Sequence, residues 1–383
     1  MMVKKTGDLP ALTAAIKRYR KSGRTGTLRA LLSVEQFLEN MNQYFIVDVR
    51  SPLEYAEASI PGAVNIPLFD DQERAVVGTT YKQEGTDQAK MVGLSLVSPR
   101  LPKMVEKIIS AAAGREIVLY CWRGGMRSRS IFTLLEALGY PVLQLVGGYK
   151  AFRRRVNKFL NDATVNVPVI VLNGLTGVGK TLVIKELQQM NAPALDLEAM
   201  ANHRGSAFGS VGLGKPRSQK DFEALLFLEI HKCKDAPFLI VEGEGKCIGS
   251  VVIPEFFYQA MLDGQHILLE TGLETRVERI VDEYRNVSVE NTEDLATAVL
   301  ALQKRLGKNK CEELAEQVRQ GEFHYAATCL CTEYYDSYYK DSRRRHGDYL
   351  AVINVDDVSH GAKEVVAVIN SYFQGRKEHH GTV

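Results

Sequence analysis

Apolar residues in the first half of the chain come as short runs separated by amphipathic stretches. Residues 44–49 form a mostly apolar run that predicts a strand, and residues 52–58 predict a helix opened by Pro52 in its first turn. Asn65-Ile66-Pro67 predicts a short strand, because Pro61 and Pro67 exclude a long central one. Helical spacing then runs over 102–113, followed by a continuous apolar strand at 116–120, a helix at 128–138 closed by Gly139, and a strand at 142–146. Residues 150–165, with Arg153, Arg154, Arg155 and Lys158, read as a basic helix leading out of this region. The pattern then restarts with an apolar, β-branched strand at 167–172, a glycine loop, and an amphipathic helix at 181–190. Later strands are expected at 238–241, 266–269 and 350–355, between helical stretches such as 221–232 and 274–284. Strands alternating with helices predict α/β architecture with parallel sheets, in which ligands sit at the carboxyl ends of strands.

At 383 residues the chain exceeds what one hydrophobic core serves, so two domains are expected, with a boundary near residue 160. The expected division is a basic extension over 1–30, a first domain over 31–158, and a second over 159–383 that carries helical insertions. The composition, 45% hydrophobic and 25% charged, is that of a globular protein. A net charge of +2 leaves any nucleic-acid contact to local patches. One such patch is the extension itself, where Lys4, Lys5, Lys17, Arg18, Arg20, Lys21, Arg24 and Arg29 face only Asp8. A solvated helix face and a nucleic-acid contact both fit it. No stretch is long and apolar enough to span a bilayer and no leader pattern opens the chain, so a cytoplasmic protein with no membrane contact is expected. None of the six cysteines shows C-x-x-C spacing. Cys329 and Cys331 would share one face of a strand, and the cysteines other than Cys121 read as small buried hydrophobes in a reducing compartment.

Cys121 is the exception, because the strand at 116–120 delivers it into Cys121-Trp122-Arg123-Gly124-Gly125-Met126-Arg127-Ser128. A strand, a cysteine, a glycine-rich turn, arginines and a helix start let amides and the helix N-terminus face an anion. That field favours a thiolate nucleophile, to which Arg123 and Arg127 can add charge. The second loop, Gly174-Leu175-Thr176-Gly177-Val178-Gly179-Lys180-Thr181, follows a strand and opens a helix, the setting in which amides cradle a diphosphate. Lys180 would bridge phosphate oxygens and Thr181 could bind a Mg2+ ion carried by them. Asp196, Glu242 and Glu244 compete as the acidic partner on the metal side, and ordinary strand-end polarity is the alternative for each. Two weaker segments complete the candidates. His203-Arg204-Gly205-Ser206-Ala207-Phe208-Gly209 could contact phosphate and stack a base, or be a plain surface loop. Tyr334-Tyr335-Asp336-Ser337-Tyr338-Tyr339 with Arg343-Arg344-Arg345 could meet RNA, or be core aromatics.

The first half resembles the rhodanese family. Asp48-Val49-Arg50 with Glu54-Tyr55, Ile60-Pro61-Gly62-Ala63-Val64-Asn65-Ile66-Pro67, the Cys121 loop and Gly147-Gly148-Tyr149 carry the likeness over most of 35–155. Asp48 and Arg50 count as supporting residues on this basis. Many single-domain sulfurtransferases place the arginine five positions after the cysteine, whereas Arg127 lies six after Cys121, and a larger loop implies a larger guest. Joined to a P-loop half, and with Tyr81-Lys82-Gln83-Glu84-Gly85 and His203-Arg204-Gly205-Ser206, the chain resembles the bacterial tRNA 2-selenouridine synthase family beyond its first thirty residues. The resemblance implies a rhodanese-like parallel-sheet domain followed by a P-loop NTPase-like α/β/α domain. It also implies replacement of sulfur by selenium in wobble-position 2-thiouridine of tRNA. Selenophosphate and geranyl diphosphate would be co-substrates, with no tightly bound cofactor, and a selenophosphate-supplying enzyme would be a partner alongside tRNA. A nucleotide kinase or ATPase with a regulatory rhodanese domain, or a non-enzymatic RNA scaffold, stays open at this point.

Overall fold

A computed structural model describes residues 31–162, 165, 167–284, 289–339 and 349–380. The basic extension 1–30 and Arg343, Arg344 and Arg345 lie outside the described residues. The chain divides into two compact units, Met1–Phe159 and Leu160–Val383.

In the first unit, β1 (Leu31–Leu32), β2 (Tyr44–Asp48), β3 (Val64–Asn65), β4 (Glu116–Tyr120) and β5 (Val142–Leu145) form one sheet ordered β1-β5-β4-β2-β3. Every pairing is parallel, with Phe45 opposite Ile117 and Ile117 opposite Val142. Central β4 is buried from Ile117 through Tyr120, which is why it reads as an unbroken apolar run. Val47, Ile108, Leu119, Ile131 and Leu135 belong to the core that anchors it. Two helices, Asp71–Gln83 and Thr86–Val97, pack as a hairpin through Gly85, and the sequence pattern did not single them out. Their mixed faces blur the helical period, although the Asp70–Glu73 capping box marks the start of the first.

The second unit repeats the logic. Strands β6 (Val169–Asn173), β7 (Ala194–Leu195), β8 (Leu239–Glu242), β11 (Gln265–Glu270) and β12 (Ala351–Asn354) form a parallel sheet ordered β12-β11-β6-β8-β7. A small antiparallel pair, β9 (Cys247–Ile248) and β10 (Val251–Val252), lies outside it. Apolar clusters cover both faces of the large sheet, one including Ile170, Leu172 and Ile240, the other Val169, Val171 and Leu239. Between β11 and β12 the chain inserts helices running from Leu273–Tyr284 to Asp336–Tyr339, much of this insertion around a core of its own that includes Val299, Leu314 and Tyr335.

Three expectations change here. Cys329 and Cys331 are not on a strand: Cys329 ends helix Phe323–Cys329 and Cys331 lies in the π-helical turn Leu330–Tyr335. Tyr335 is buried in the core of the insertion and Tyr334 packs against it, so this part of the aromatic run is core rather than an exposed RNA surface. Cys247 is exposed and Cys233 and Cys329 half-buried, unlike the buried Cys311 and Cys331. Among the described residues no helix is long and apolar enough to cross a membrane.

Candidate functional site

Cys121 leaves the carboxyl end of β4 and is 3% exposed. Its Sγ lies 3.3 Å from Ser128 Oγ, which in turn accepts a hydrogen bond from Gln144 Nε2 at 2.9 Å. Ser128 opens toward the sulfur because helix Met126–Ala137 begins right after the loop, with Gly125 at its N-cap. The same hydroxyl lies 3.3 Å from the Gly125 carbonyl, so Gln144, Ser128 and the loop backbone together fix the position of the sulfur. The carbonyls of Cys121 and Trp122 accept from the amides of Tyr149 and Lys150, both at 2.9 Å. Gly148 makes this docking possible: a Cβ there would sit 2.1 Å from the Cys121 carbonyl, and its φ is +56°. Gly148→Ala is therefore expected to displace the loop and cost about 2–4 kcal/mol, seen as a lower unfolding midpoint in denaturant titration together with loss of Cys121 reactivity. An unchanged midpoint would show that the close approach carries no stability.

The other predicted residues around this loop divide by role. Asp48 and Arg50 form a buried pair at 2.6 Å, and Arg50 also donates to the Ala58 carbonyl at 2.7 Å with its guanidinium over the Tyr149 ring. Arg50 also lies over the rings of Tyr120 and Trp122, which flank Cys121 in the chain. Arg127 does not present a free charge to the loop: it forms a two-point ion pair with Glu54, at 2.5 and 3.0 Å. Arg123 is exposed. Glu54, Ser128 and Gln144 were not singled out by sequence reasoning, although Glu54 and Ser128 fall inside the motifs quoted above.

The glycine loop stands between β6 and helix Lys180–Gln189. Gly177 adopts φ +79°, and a Cβ there would meet the Arg276 carbonyl at 2.7 Å. Two arginines of helix Leu273–Tyr284 hold the loop from outside. Arg276 Nε donates to the Thr176 carbonyl at 2.8 Å while its guanidinium pairs with Asp336 at 2.7 and 3.0 Å. Arg279 donates to the carbonyls of Val178 and Val355, both at 2.6 Å. With its carbonyls held outward, the loop is preorganised to receive an anion. Gly174, Thr176, Gly177, Val178, Gly179, Lys180 and Thr181 belong to this loop, and all but Gly174 line one cavity of about 480 Å3.

The three competing carboxylates separate clearly. Asp196 caps helix Leu197–Ala201 by accepting from the Ala199 amide at 2.7 Å. Glu242 is fully buried and accepts from the amides of Leu197 and Glu198 at 2.8 and 3.4 Å. Burial, reinforced by the charges of Asp196, Glu198 and Glu244, pushes its carboxyl well above the ordinary range. Neither lines the cavity, whereas Glu244 does, 3.9 Å from Lys180. Glu198, which sequence reasoning missed although it stands two residues beyond Asp196, also lines it and accepts from Thr181 Oγ1 at 2.7 Å. Among the described residues no three His, Cys, Asp or Glu side chains converge as a metal site. Thr181 and Glu198 bring a hydroxyl and a carboxylate oxygen together beside the loop.

The His203 segment also splits. Arg204, Gly205, Ser206 and Phe208 face the cavity, and Arg204 pairs with Glu283 at 2.7 Å. His203 instead buttresses the turn, its Nδ1 accepting from the Gly205 amide at 3.2 Å and its ring closing on Gly209 and Gly249. Burial and the neighbouring Arg204 lower its pKa.

Glu244 gives a pH signature. Burial, followed by attraction from Lys180 and repulsion from Glu198, leaves its pKa raised to about 7. Below that value it is protonated, and above it the carboxylate competes with an anion for the Lys180 ammonium. An anion in the loop favours the protonated form, so pyrophosphate binding near pH 7.5 is expected to take up a proton. Calorimetry in buffers of different ionisation enthalpy reads this, and Glu244→Gln should reduce the uptake. Equal uptake in the variant would assign the proton elsewhere.

The fold and the two loops define the class: a rhodanese-like cysteine-loop unit joined to a P-loop unit. Residues 33–155 match the rhodanese-like domain family, and residues 167–365 match the family described as tRNA 2-selenouridine synthase AAA domain. The tRNA 2-selenouridine synthase of Sulfurovum sp. is 36% identical over 327 residues, spanning 78% of this chain and 88% of that one. Those of Pseudomonas syringae pv. syringae and Hydrogenovibrio crunogenus are 34% and 36% identical, over 79% and 77% of this chain and 89% and 88% of theirs. The chain belongs to the tRNA 2-selenouridine synthase family.

Proposed function

We propose that this protein replaces the sulfur of wobble-position 2-thiouridine in tRNA by selenium, in two steps with two stations. The carrying observation is the pairing in one chain of a buried, hydrogen-bonded thiol, Cys121, with a lysine-bearing phosphate loop that opens on a cavity. In the first step the diphosphate of geranyl diphosphate sits on the amides of residues 174–181 with Lys180 across its oxygens. The thiocarbonyl sulfur attacks the carbon bearing the diphosphate, the C–O bond breaks, and diphosphate leaves. Alkylation matters because sulfur doubly bonded to a pyrimidine carbon is a poor leaving group. As a thioether it can depart as a neutral thiol once selenium has added to the ring. In the second step selenophosphate is positioned at the Cys121 loop, whose sulfur is set by the Gln144–Ser128 hydrogen bonds; its selenium adds to the ring carbon, geranyl thiol departs, and water then cleaves the P–Se bond to release phosphate. A selenophosphate-supplying enzyme is the partner this chemistry requires. Mass analysis of wobble nucleosides from cells lacking and then regaining the protein tests the reading. Selenouridine and geranylthiouridine should vanish and return, and unchanged levels of both would sink it.

A further inference from the structure

The cavity in front of the glycine loop joins charged side chains to a group of apolar and aromatic ones, beside which Arg204 lies over the Tyr284 ring and pairs with Glu283. From Lys180, Glu198 and Glu244 it runs to Phe208, Tyr284, Leu330 and Tyr335, four side chains that are each less than a tenth exposed. The polar atoms at this far end are already engaged. Tyr284 Oη donates to the Phe208 carbonyl at 3.2 Å, and Arg204 donates to the Val211 carbonyl at 2.7 Å while pairing with Glu283. A nucleobase needs donors and acceptors at its edges and would leave them unmatched here, whereas a hydrocarbon chain needs only apolar wall. The backbone is also shaped for this wall. Leu330 and Tyr335 bound the π-helical turn, and both reach the cavity. An α-helix would set residues five apart about 140° round the axis, and the wider turn brings them toward one face.

We propose that this far end holds the hydrocarbon chain of the prenyl diphosphate and that Leu330 and Tyr335 set its length. The inference rests on the reading above that a prenyl diphosphate occupies the glycine loop. The test is calorimetric titration of the full chain with inorganic pyrophosphate and with the five-, ten- and fifteen-carbon prenyl diphosphates. Burying a ten-carbon chain should make geranyl diphosphate bind at least about 100-fold tighter than pyrophosphate. Leu330→Trp should lower geranyl affinity at least about 30-fold with pyrophosphate affinity kept, and Tyr335→Ala should move the preference toward the fifteen-carbon chain. Equal binding of pyrophosphate and geranyl diphosphate by the unaltered chain would overturn the inference alone, as would an unchanged chain-length preference in both variants. Failure of the unaltered chain to bind pyrophosphate would remove the underlying reading, and the inference with it.

Discussion

Lys180→Ala is expected to slow tRNA geranylation on the order of 100-fold, the scale of losing one preorganised charged contact to a departing oxyanion. Lys180 is the cation the structure sets at the mouth of the loop, with its Nζ 3.5 Å from the Gly174 carbonyl and 3.9 Å from Glu244. Its side chain is only 10% exposed, so solvent screens it little. Removing it also strips the counter-charge from Glu198 and Glu244, whose carboxyls burial already pushes toward the neutral form. A melting curve is therefore recorded beside the kinetics, to separate lost chemistry from lost fold. Selenouridine should fall in parallel, because in the proposed sequence the second step consumes the product of the first. If geranylthiouridine formed at the normal rate while selenouridine alone disappeared, diphosphate chemistry would have to be taken away from this loop.

Cys121→Ser should show the opposite pattern, with geranylthiouridine accumulating and selenouridine falling at least about 100-fold. Serine keeps the shape of the side chain and can still meet Ser128, so the loop stays folded around it. What it lacks is the soft, strongly nucleophilic sulfur atom. Liquid chromatography with mass detection of tRNA nucleosides reads both products in one run. Full-rate selenium incorporation by the serine variant would remove the thiolate from the mechanism.

Both reactive loops were legible in the sequence because each is local: a strand, a run of glycines and a charged residue within eight positions. Parallel strands buried on both faces, such as β4 and β6, were equally legible as continuous apolar runs. What escaped was non-local. Glu54 claims Arg127 from 73 residues away, and Arg276 reaches Thr176 across 100. No spacing rule carries such pairings. Asp196 and Glu242 were visible as carboxylates, but only three dimensions reveal that they hold helix Leu197–Ala201 while Glu198, on that helix, turns to the cavity. The tyrosines at 334 and 335 had the composition of an RNA-stacking surface and became part of an interior, because a helical insertion needs a core of its own.

Arg276 ties two structures with one guanidinium: it fixes the Thr176 carbonyl of the glycine loop and binds Asp336, immediately after the π-helical turn. Anything that steadies one end of this strut lowers the entropy the other must lose. Occupancy of the loop and order in the inserted helices are thus linked equilibria, and the linkage runs equally in both directions. An anion that binds the loop should slow amide hydrogen exchange across Phe323–Cys329, and loosening those helices should weaken the anion by the same factor.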